Sequence, residues 1–579
     1  MNTTMKKYIS IVLALVVLSM TACVQDLRVE SIDPNTSSSI DKQQLFVKIY
    51  STLALTGQQG PSGNGDVAGV DEGTSSFYRM TYSLQEFPAD QIYWIWPDVG
   101  VDDVRKMSWT SSNSLVKGLY SRLYFDITLC NLYLDNYSET ATKEELAEVR
   151  FIRALNYWYL LDMFGNVPFV EHAGQSELPE QIERPDLYRW LKSELKDNIA
   201  PNLAPANQRI SYYRMDQAAA WLLLSRLCLN AGIYGVDRNG VQQISDLTAE
   251  YTDAAYYANQ VMNSGYQLAS EYRYLFMGDN DNLSTKNDAY KEIILPIGQD
   301  GVQTQSYGGS LFLIASCYTG GMPAYGITEN WKCIRSRAQL VGLFCGSKFQ
   351  SPVADAITTE AAAKKAYGEY FGTATEITKA AKDSRAMFCN YSTDGSNTYV
   401  CQFWKQNTSD EFLSGWGITK FSNLMADTNR IANDTKYPDM DVPLMRLAEA
   451  YLNYAEAVLR GGTQCGISVD EAVNTLRRRA GAEEKSGWNI TDTPLKGLNI
   501  LDERGREMYS EGLRRSDLIR FGYFTGPYAQ TGYRWEYRAG ELLGINAAPE
   551  AHRILYPLPL SEVTANHKLK QNPGYEVEN

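Results

Sequence analysis

Histidine is scarce in this chain, which has only three, His172, His552 and His567, among its 579 residues. They lie too far apart in the sequence to suggest a metal cluster, and neither a Cys-x-x-Cys pair nor another zinc-type ligand spacing occurs. The HExxH, GxSxG, GxGxxG and Walker-type motifs are absent as well. No pair of carboxylates stands out as the acid and base of a hydrolase, although the many acidic residues leave that mechanism open. We therefore predict that the protein is not an enzyme.

Basic residues are outnumbered by acidic ones, 54 Lys and Arg against 68 Asp and Glu, which gives a formal net charge of -14. Nucleic-acid phosphates are recognised by a basic field, so this composition argues against a nucleic-acid partner. The acidic residues are scattered along the chain, and such a distribution is typical of charge that keeps a protein soluble.

The sequence also lacks an apolar run as long as the roughly 18 to 20 residues that a membrane-spanning helix needs. A shorter apolar stretch, residues 9–18, follows two lysines and leads into small residues before Cys23. This order predicts a cleaved export signal, and Cys23 at the cleavage point fits a bacterial lipobox, with an incidental cysteine as the alternative. A lipidated Cys23 would anchor the protein to a membrane. The predicted division of the chain is a signal segment at 1–22, a tether at 23–41 and a single domain at 42–579.

Eight cysteines follow Cys23, and this even number in an exported protein permits disulfides. Their connectivity cannot be read from the sequence. Cys228 lies within an apolar helical segment, so we predict that it and most of the others are small buried thiols.

Apolar residues recur at i, i+3 and i+4 in several long segments, which predicts a mainly helical fold. The segments cover residues 115–137, 143–164, 215–234, 251–264 and 443–460. They mix alanine, leucine and tyrosine, the small and large residues that interlocking helical hairpins require. This mixture suggests tetratricopeptide-like stacking, although the sequence has no clean repeat period. Glycine and serine concentrate at residues 57–76 and 298–326, which predicts loops there.

Aromatic residues are abundant, with 39 tyrosines and 11 tryptophans. Sugar rings have apolar C–H faces and a rim of hydroxyls, and proteins bind them with stacked aromatic rings and a few hydrogen-bonding groups. Trp94 and Trp96 are two residues apart, so an extended chain would place both on one face. Polar residues, including Asp98, flank the pair. The pattern suggests a carbohydrate site, and a tryptophan pair in the protein core is the alternative.

Residues 503–522 combine many charges with apolar residues. Arg504 and Glu507, and Glu511 and Arg515, are among the opposite charges at helical i+3 or i+4 spacing. By itself, the pattern indicates a packed helical corner with an ion-pair network.

This stretch strongly resembles the C-terminal signature of the SusD/RagB family of glycan-binding lipoproteins, and further similar motifs cover nearly the whole mature chain. They include Asp71-Glu72-Gly73, Phe77-Tyr78-Arg79, Trp94-Ile95-Trp96, Tyr307-Gly308-Gly309-Ser310, Arg446-Leu447-Ala448-Glu449-Ala450 and Gln571-Asn572-Pro573-Gly574-Tyr575. The resemblance implies a mainly α fold. In it, tetratricopeptide-like helical pairs form a scaffold, and a loop-rich half packed on that scaffold carries the ligand site.

In a starch-binding member of the family, an arc of aromatic residues and an arginine hold the glycan. The positions that match here keep the residue type: Arg79, Trp94, Trp96, Tyr307 and Trp331. The chain departs from that relative just after Trp96, where it is one residue shorter and has Asp98 in place of an amide side chain. An aspartate replaces the acceptor function of an amide but not its donor function.

Two short acidic clusters lie in predicted loops, at residues 279–281 and 439–441. Calcium takes several oxygen ligands from carboxylates and carbonyls. The resemblance implies a structural calcium site at Asp281, Asp439 and Asp441, and solvated loop charges are the alternative. No cofactor is expected to be required.

The resemblance implies a protein that captures starch or maltooligosaccharides without cleaving them, on the outer face of a Gram-negative outer membrane. The implied partner is a SusC-like TonB-dependent β-barrel transporter, and the implied anchor is the lipid on Cys23. The nearest alternative is a SusD-like binder of a different glycan or of peptides. A carbohydrate-active hydrolase and a purely structural surface protein are the more distant ones.

Overall fold

The computed structural model describes residues 41–96, 98–281, 286–346, 359–395, 397–401, 415–525 and 549–575. The predicted signal segment, the lipobox Cys23 and all of the predicted tether except residue 41 lie outside them. The chain divides into two compact units, residues 1–48 and 49–579. Of the first, the structure describes residues 41–48, where the first helix begins. None of the described helices combines the length and the apolar character that a membrane crossing requires.

Most of the regular structure is α-helical, so the prediction of a mainly α fold is confirmed. The helices are α1 (Lys42–Ala54), α2 (Phe77–Glu86), α3 (Val101–Arg105), α4 (Ser114–Tyr137), α5 (Lys143–Met163), α6 (Arg184–Ser193), α7 (Gln217–Leu229), α8 (Ala231–Tyr234), α9 (Leu247–Met262), α10 (Ser310–Cys317), α11 (Ala338–Cys345), α12 (Glu360–Tyr367), α13 (Ala374–Ala381), α14 (Leu447–Leu459), α15 (Val469–Arg479), α16 (Ile500–Glu507), α17 (Arg514–Arg520) and α18 (Leu560–Ala565).

The strands are short and form two-stranded antiparallel pairs, β1 with β5, β2 with β3, β4 with β10, β6 with β9 and β7 with β8. Their bounds are β1 (Ile92–Trp94), β2 (Val167–Pro168), β3 (Gln181–Ile182), β4 (Ile293–Ile297), β5 (Ile334–Ser336), β6 (Phe388–Cys389), β7 (Tyr391–Asp394), β8 (Asn397–Val400), β9 (Gly417–Ile418) and β10 (Val442–Arg446).

The predicted helices at 115–137 and 143–164 match α4 and α5 to within a residue at each end. Both begin at caps that the sequence encodes locally. The Asn113 side chain accepts hydrogen bonds from the first backbone amides of α4, and Thr142 and Glu145 form a capping box at the start of α5. Helices α4 and α5 pack on each other, as do α7, α9 and α14. Tetratricopeptide-like stacking of such pairs stays a prediction.

The predicted helix at 443–460 is wrong over its first residues. Residues Val442–Arg446 form strand β10, which pairs with β4, and the helix α14 begins only at Leu447. All residues of β10 and β4 are buried. A short strand buried on both faces is continuously apolar, so periodicity alone does not separate it from a helix. The predicted helix at 215–234 also divides at Asn230, between α7 and α8.

The charged segment 503–522 forms α16 and α17, with Gly512 between them at a φ of +78°. An ion-pair network is present, but most of its pairs are not the local ones predicted. The Arg446 guanidinium lies 2.7 Å from the Glu507 carboxylate, and Arg385 and Arg479 bind the same carboxylate. Burial raises the pKa of Glu507, but the three guanidinium charges outweigh this effect and hold the pKa well below its usual range.

Of the eight cysteines that the structure describes, seven are buried and Cys465 is exposed. Burial raises the pKa of the Cys228 thiol, and the charge of Lys192 opposes this rise only in part. The prediction that Cys228 is a buried thiol is therefore confirmed.

Candidate ligand-binding site

The β1–β5 pair brings two distant tryptophans together. Trp94 is opposite Ile334 in the antiparallel register, and the next residue, Ile95, donates its backbone N–H to the carbonyl of Cys333 at 2.8 Å. Beyond this pair, the indole Nε1 of Trp96 donates a hydrogen bond of 2.9 Å to the backbone carbonyl of Trp331. The strand pairing therefore places Trp96 and Trp331 side by side.

Trp94 and Trp96 do not share one exposed face, contrary to the expectation from their spacing. Trp94 ends β1 and is only 2% exposed, whereas Trp96 is 40% exposed. The Trp94 ring stacks on Phe312 with centroids 5.8 Å apart, and its Nε1 donates to the Asp98 carboxylate at 3.2 Å. The strand ends between the two residues, so the alternation stops there. The Trp94 ring is therefore buried against Phe312, whereas the Trp96 ring is exposed to solvent.

Arg79 lies in the first turn of α2, where the Ser76 side chain caps the helix by accepting its backbone N–H at 3.0 Å. Its guanidinium carbon lies 4.9 Å from the ring centre of Phe312, 5.8 Å from that of Trp331 and 6.0 Å from that of Trp94.

Within the described part of the chain, no carboxylate or other protein acceptor binds the guanidinium of Arg79. Burial lowers the pKa of Arg79, and the charges of Asp71 and Asp98 partly offset this effect. An arginine stays protonated under such conditions. The site therefore holds a half-buried cation whose N–H groups are available to a ligand.

A cavity of about 420 Å³ opens beside Arg79. Its lining includes Asp71, Thr74, Arg79, Trp94, Asp98 and Phe312. The cavity therefore combines aromatic rings, a guanidinium and carboxylates. This combination suits the binding of a polyhydroxylated ligand. Sequence reasoning did not single out Phe312, because a phenylalanine in the apolar helix α10 has the ordinary signature of a core residue.

Tyr307 joins the site through close packing between its loop and the start of α2. The Ser76 hydroxyl donates to the Gly308 carbonyl at 2.8 Å. A Cβ atom on Gly73 would lie 2.4 Å from the Tyr307 Cβ, so only glycine allows this approach. The Tyr307 ring centre is 6.3 Å from that of Trp331, with the planes tilted by 42°.

Trp96, Trp331 and Tyr307 are therefore neighbouring and partly exposed aromatic residues, which we call the aromatic arc. All six predicted ligand contacts meet in this region: Arg79, Trp94, Trp96, Asp98, Tyr307 and Trp331. Tyr437 and Lys436 also reach it, and the sequence had not indicated them. They lie in a polar loop without apolar periodicity, so no local pattern distinguishes them.

Two of the three predicted calcium ligands, Asp439 and Asp441, bind the backbone of the loop that precedes Tyr307. The Asp439 carboxylate accepts the backbone N–H of Gly301 at 2.8 Å, and that of Asp441 accepts the N–H of Gln299 at 2.6 Å. Asp441 is fully buried, and burial raises its pKa well above the usual range, with the charges of Asp281 and Asp439 adding to the rise.

The donor chemistry at this cluster fits calcium. One Asp441 oxygen, Oδ2, is buried without a hydrogen-bond partner among the described residues, and the ligand set consists of oxygens only. The carboxylates of Asp281, Asp439 and Asp441 do not all lie within 4.8 Å of one another. In the described chain, Cys228, Glu250 and Asp253 do converge to this degree, but the Lys192 ammonium pairs with both of their carboxylates.

Comparison with known proteins decides the family. The model described as "SusD family" matches residues 316–575, and the model described as "Starch-binding associating with outer membrane" matches residues 28–229. The Starch-binding protein SusD of Bacteroides thetaiotaomicron is 38% identical over 569 residues, which cover 96% of each chain. The chain belongs to the SusD/RagB family. The resemblance carried by the sequence motifs is thereby confirmed.

Solved structures with the same fold are much more distant in sequence. Surface glycan-binding protein A from Bacteroides uniformis is 18% identical, with a TM-score of 0.62, and the match covers 92% of this chain and 98% of that one. Surface glycan-binding protein A from Bacteroides thetaiotaomicron, solved in complex with laminarihexaose, is 17% identical, with a TM-score of 0.61 and the same coverage. The relative that is 38% identical is named as a binding protein, and membership of its family supports the prediction that this chain is not an enzyme.

Proposed function

We propose that this chain captures starch and maltooligosaccharides without cleaving them. The carrying observation is the aromatic arc beside the Arg79 guanidinium, which has no ion-pair partner among the described residues. A sugar face stacks on the rings of Trp96, Trp331 and Tyr307, while Arg79 donates to the hydroxyls at its rim. The 38% identity with a starch-binding protein across nearly the whole chain supports the same ligand class.

The shape of the arc also favours an α-1,4-glucan. The planes of Trp331 and Tyr307 are tilted by 42°, so the stacking surface is curved rather than flat. A helically curved α-glucan can follow such a surface, whereas an extended flat chain contacts only one ring plane at a time. A SusD-family protein for a different glycan or for peptides is the alternative.

Isothermal titration with maltoheptaose and with laminarihexaose tests this proposal. We expect heat of binding with maltoheptaose, and a loss of binding in the Trp96→Ala, Trp331→Ala double variant. The matched control is Tyr256→Ala, which removes an exposed tyrosine on α9, outside the arc. Binding of laminarihexaose but not of maltoheptaose would contradict the starch assignment and favour the alternative glycan.

The family also suggests a location and a partner. We propose that a lipid on Cys23 anchors the chain to the exterior face of the outer membrane, and that it delivers oligosaccharides to a SusC-like TonB-dependent transporter. The description of the N-terminal family model, which names association with the outer membrane, supports this location. Incorporation of labelled palmitate that is lost in Cys23→Ser tests the anchor, and co-purification of a β-barrel with the wild type tests the partner.

We further propose that Asp281, Asp439 and Asp441 hold a structural calcium ion. The supporting observation is the buried Asp441 oxygen without a partner, surrounded by other negative charges. When bound, the ion neutralises this repulsion and contributes no catalytic chemistry. The backbone bonds from Gln299 and Gly301 to the Asp441 and Asp439 carboxylates support a site between the loop before Tyr307 and the loop after Lys436.

A further inference from the structure

The series of rings continues past Tyr307 into the loop at residues 434–437. The ring centre of Tyr437 lies 6.0 Å from that of Tyr307, close to the 6.3 Å that separates Tyr307 from Trp331. Tyr437 is half-buried, as Tyr307 and Trp331 are. Among the ring pairs of the described residues, Tyr437 contacts Tyr307 but not Trp331, so it is the next ring in the same series.

Lys436 lies between these two tyrosines. Its ammonium donates a hydrogen bond of 3.0 Å to the Tyr307 hydroxyl, and it lies 5.2 Å and 5.3 Å from the ring centres of Tyr307 and Tyr437. The nearest carboxylate, Glu329, is 3.9 Å away, and the lysine side chain is 39% exposed. An ammonium has three N–H donors, so the bond to Tyr307 leaves donors at the surface.

The loop that carries this pair is held from several sides. One Asp434 carboxylate oxygen accepts the backbone N–H groups of both Lys436 and Tyr437, at 2.6 and 2.8 Å. The Thr435 carbonyl accepts the N–H of Thr328 at 2.7 Å. A Cβ atom on Gly301 would lie 2.2 Å from the Tyr437 carbonyl oxygen, so this packing requires glycine. A surface that is already ordered costs little conformational entropy on binding.

We propose that Lys436 and Tyr437 form a further glycan subsite that extends the aromatic arc. Tyr437 stacks on the C–H face of a sugar ring, and the Lys436 ammonium and the Tyr307 hydroxyl hydrogen-bond to its hydroxyls. The inference rests on the proposed function, since the occupant is the same glucan chain. A short oligosaccharide bound at Trp96, Trp331 and Arg79 leaves this subsite empty. Only a longer chain reaches Tyr437, so the structure assigns to it a dependence of affinity on chain length.

Titration of maltotriose and maltoheptaose into the purified wild type, Tyr437→Ala and Lys436→Met tests the subsite. We expect Tyr437→Ala to weaken maltoheptaose binding about fivefold while maltotriose binding changes less than about twofold, because only the longer chain gains the stacked ring. Lys436→Met keeps the aliphatic side chain, and we expect it to weaken the longer ligand more than the shorter. Tyr437→Phe should bind like the wild type to within about twofold, since it keeps the ring.

Three outcomes would overturn the subsite. Equal weakening of both oligosaccharides would mean that the pair only positions Tyr307. Unchanged maltoheptaose affinity in Tyr437→Ala, at an unchanged melting temperature, would mean that no sugar reaches it. Failure of the wild type to bind either glucan would contradict the proposed function, and the subsite with it. The control Tyr256→Ala, outside the arc, should leave both affinities unchanged.

Discussion

The indole N–H of Trp96 donates to the backbone carbonyl of Trp331 at 2.9 Å, although 235 residues separate the two along the chain. This bond joins the end of β1 to the segment before β5, and it orients the exposed Trp96 ring beside Trp331. Two variants therefore distinguish the contribution of the Trp96 ring to binding from that of its hydrogen bond. Trp96→Phe keeps an aromatic face and loses the bond, whereas Trp96→Ala loses both.

We expect Trp96→Ala to weaken maltoheptaose binding about tenfold or more and Trp96→Phe only about two- to threefold, because stacking contributes more than the bond that orients the ring. Isothermal titration measures both. Equal losses in the two variants would show that the hydrogen bond, and not the ring face, carries the contribution of Trp96.

Arg79 and Arg446 provide a matched pair of arginine-to-methionine substitutions. Arg79 makes no ion pair in the described chain, and methionine fills the same space beside Phe312. We therefore expect Arg79→Met to weaken glucan binding while the free energy of unfolding falls by less than about 1 kcal/mol. Titration and denaturant unfolding of the same preparation measure the two effects. Unchanged glucan binding in Arg79→Met would show that the Arg79 guanidinium does not contact the ligand.

Arg446→Met should instead lower the free energy of unfolding strongly. Arg446 is fully buried and binds Glu292, Glu507 and Glu511, so its loss leaves buried carboxylates without their partner. Breaking a buried pair in this way costs about 3–5 kcal/mol of unfolding free energy. Denaturant unfolding measures this loss, and a change below about 1 kcal/mol would contradict the assignment of the network as a stabilising core.

Glu86 should make the stability of the protein depend on pH. Its carboxylate is buried, one oxygen accepts the backbone N–H of Gly512 at 2.8 Å, and the other has no partner among the described residues. Burial raises the pKa of Glu86 from 4.5 to about 7, and the Gly512 bond opposes the rise only in part. A carboxyl group with a raised folded-state pKa contributes stability in its protonated form. That contribution is present below the unfolded pKa and is lost as the pH rises towards the folded pKa.

We expect Glu86→Gln, which keeps the acceptor for Gly512, to raise the melting temperature near about pH 8 and to change it little near about pH 4. Differential scanning fluorimetry across that range measures the difference. A stabilisation of the same size at both pH values would show that the charge of Glu86 is not its cause.

Calcium should stabilise the wild type but not the Asp441→Asn variant. Asparagine removes a buried negative charge, so we expect Asp441→Asn to raise the melting temperature in the presence of a chelator. Added calcium should raise the melting temperature of the wild type and leave that of the variant unchanged, because an amide binds calcium more weakly than a carboxylate does. A calcium response of equal size in both proteins would place the ion elsewhere.

The segment 503–522 shows how much the spacing of charges along a helix predicts about the ion pairs that form. Arg504 with Glu507 and Glu511 with Arg515 do not pair in the described chain, whereas Asp517 and Arg520, which also have the predicted spacing, pair at 2.7 Å. Arg504 binds Asp517, Arg515 binds Asp162 on α5, and Glu511 binds Arg446. The spacing correctly indicated a network, but each charge in a buried corner can pair with any element that packs there. Spacing along one helix does not contain that information.

Some features of this protein follow from local sequence, and others depend on contacts between distant segments. The sequence by itself determined the main helices and the family, because these depend on neighbouring residues or on the order of motifs. Only the tertiary structure decided that Trp94 is buried while Trp96 is exposed, and that Lys436 and Tyr437 lie against Tyr307. These relationships depend on strand pairing and loop packing between segments about one hundred or more residues apart. Such contacts form only when the whole chain folds, so no local periodicity records them.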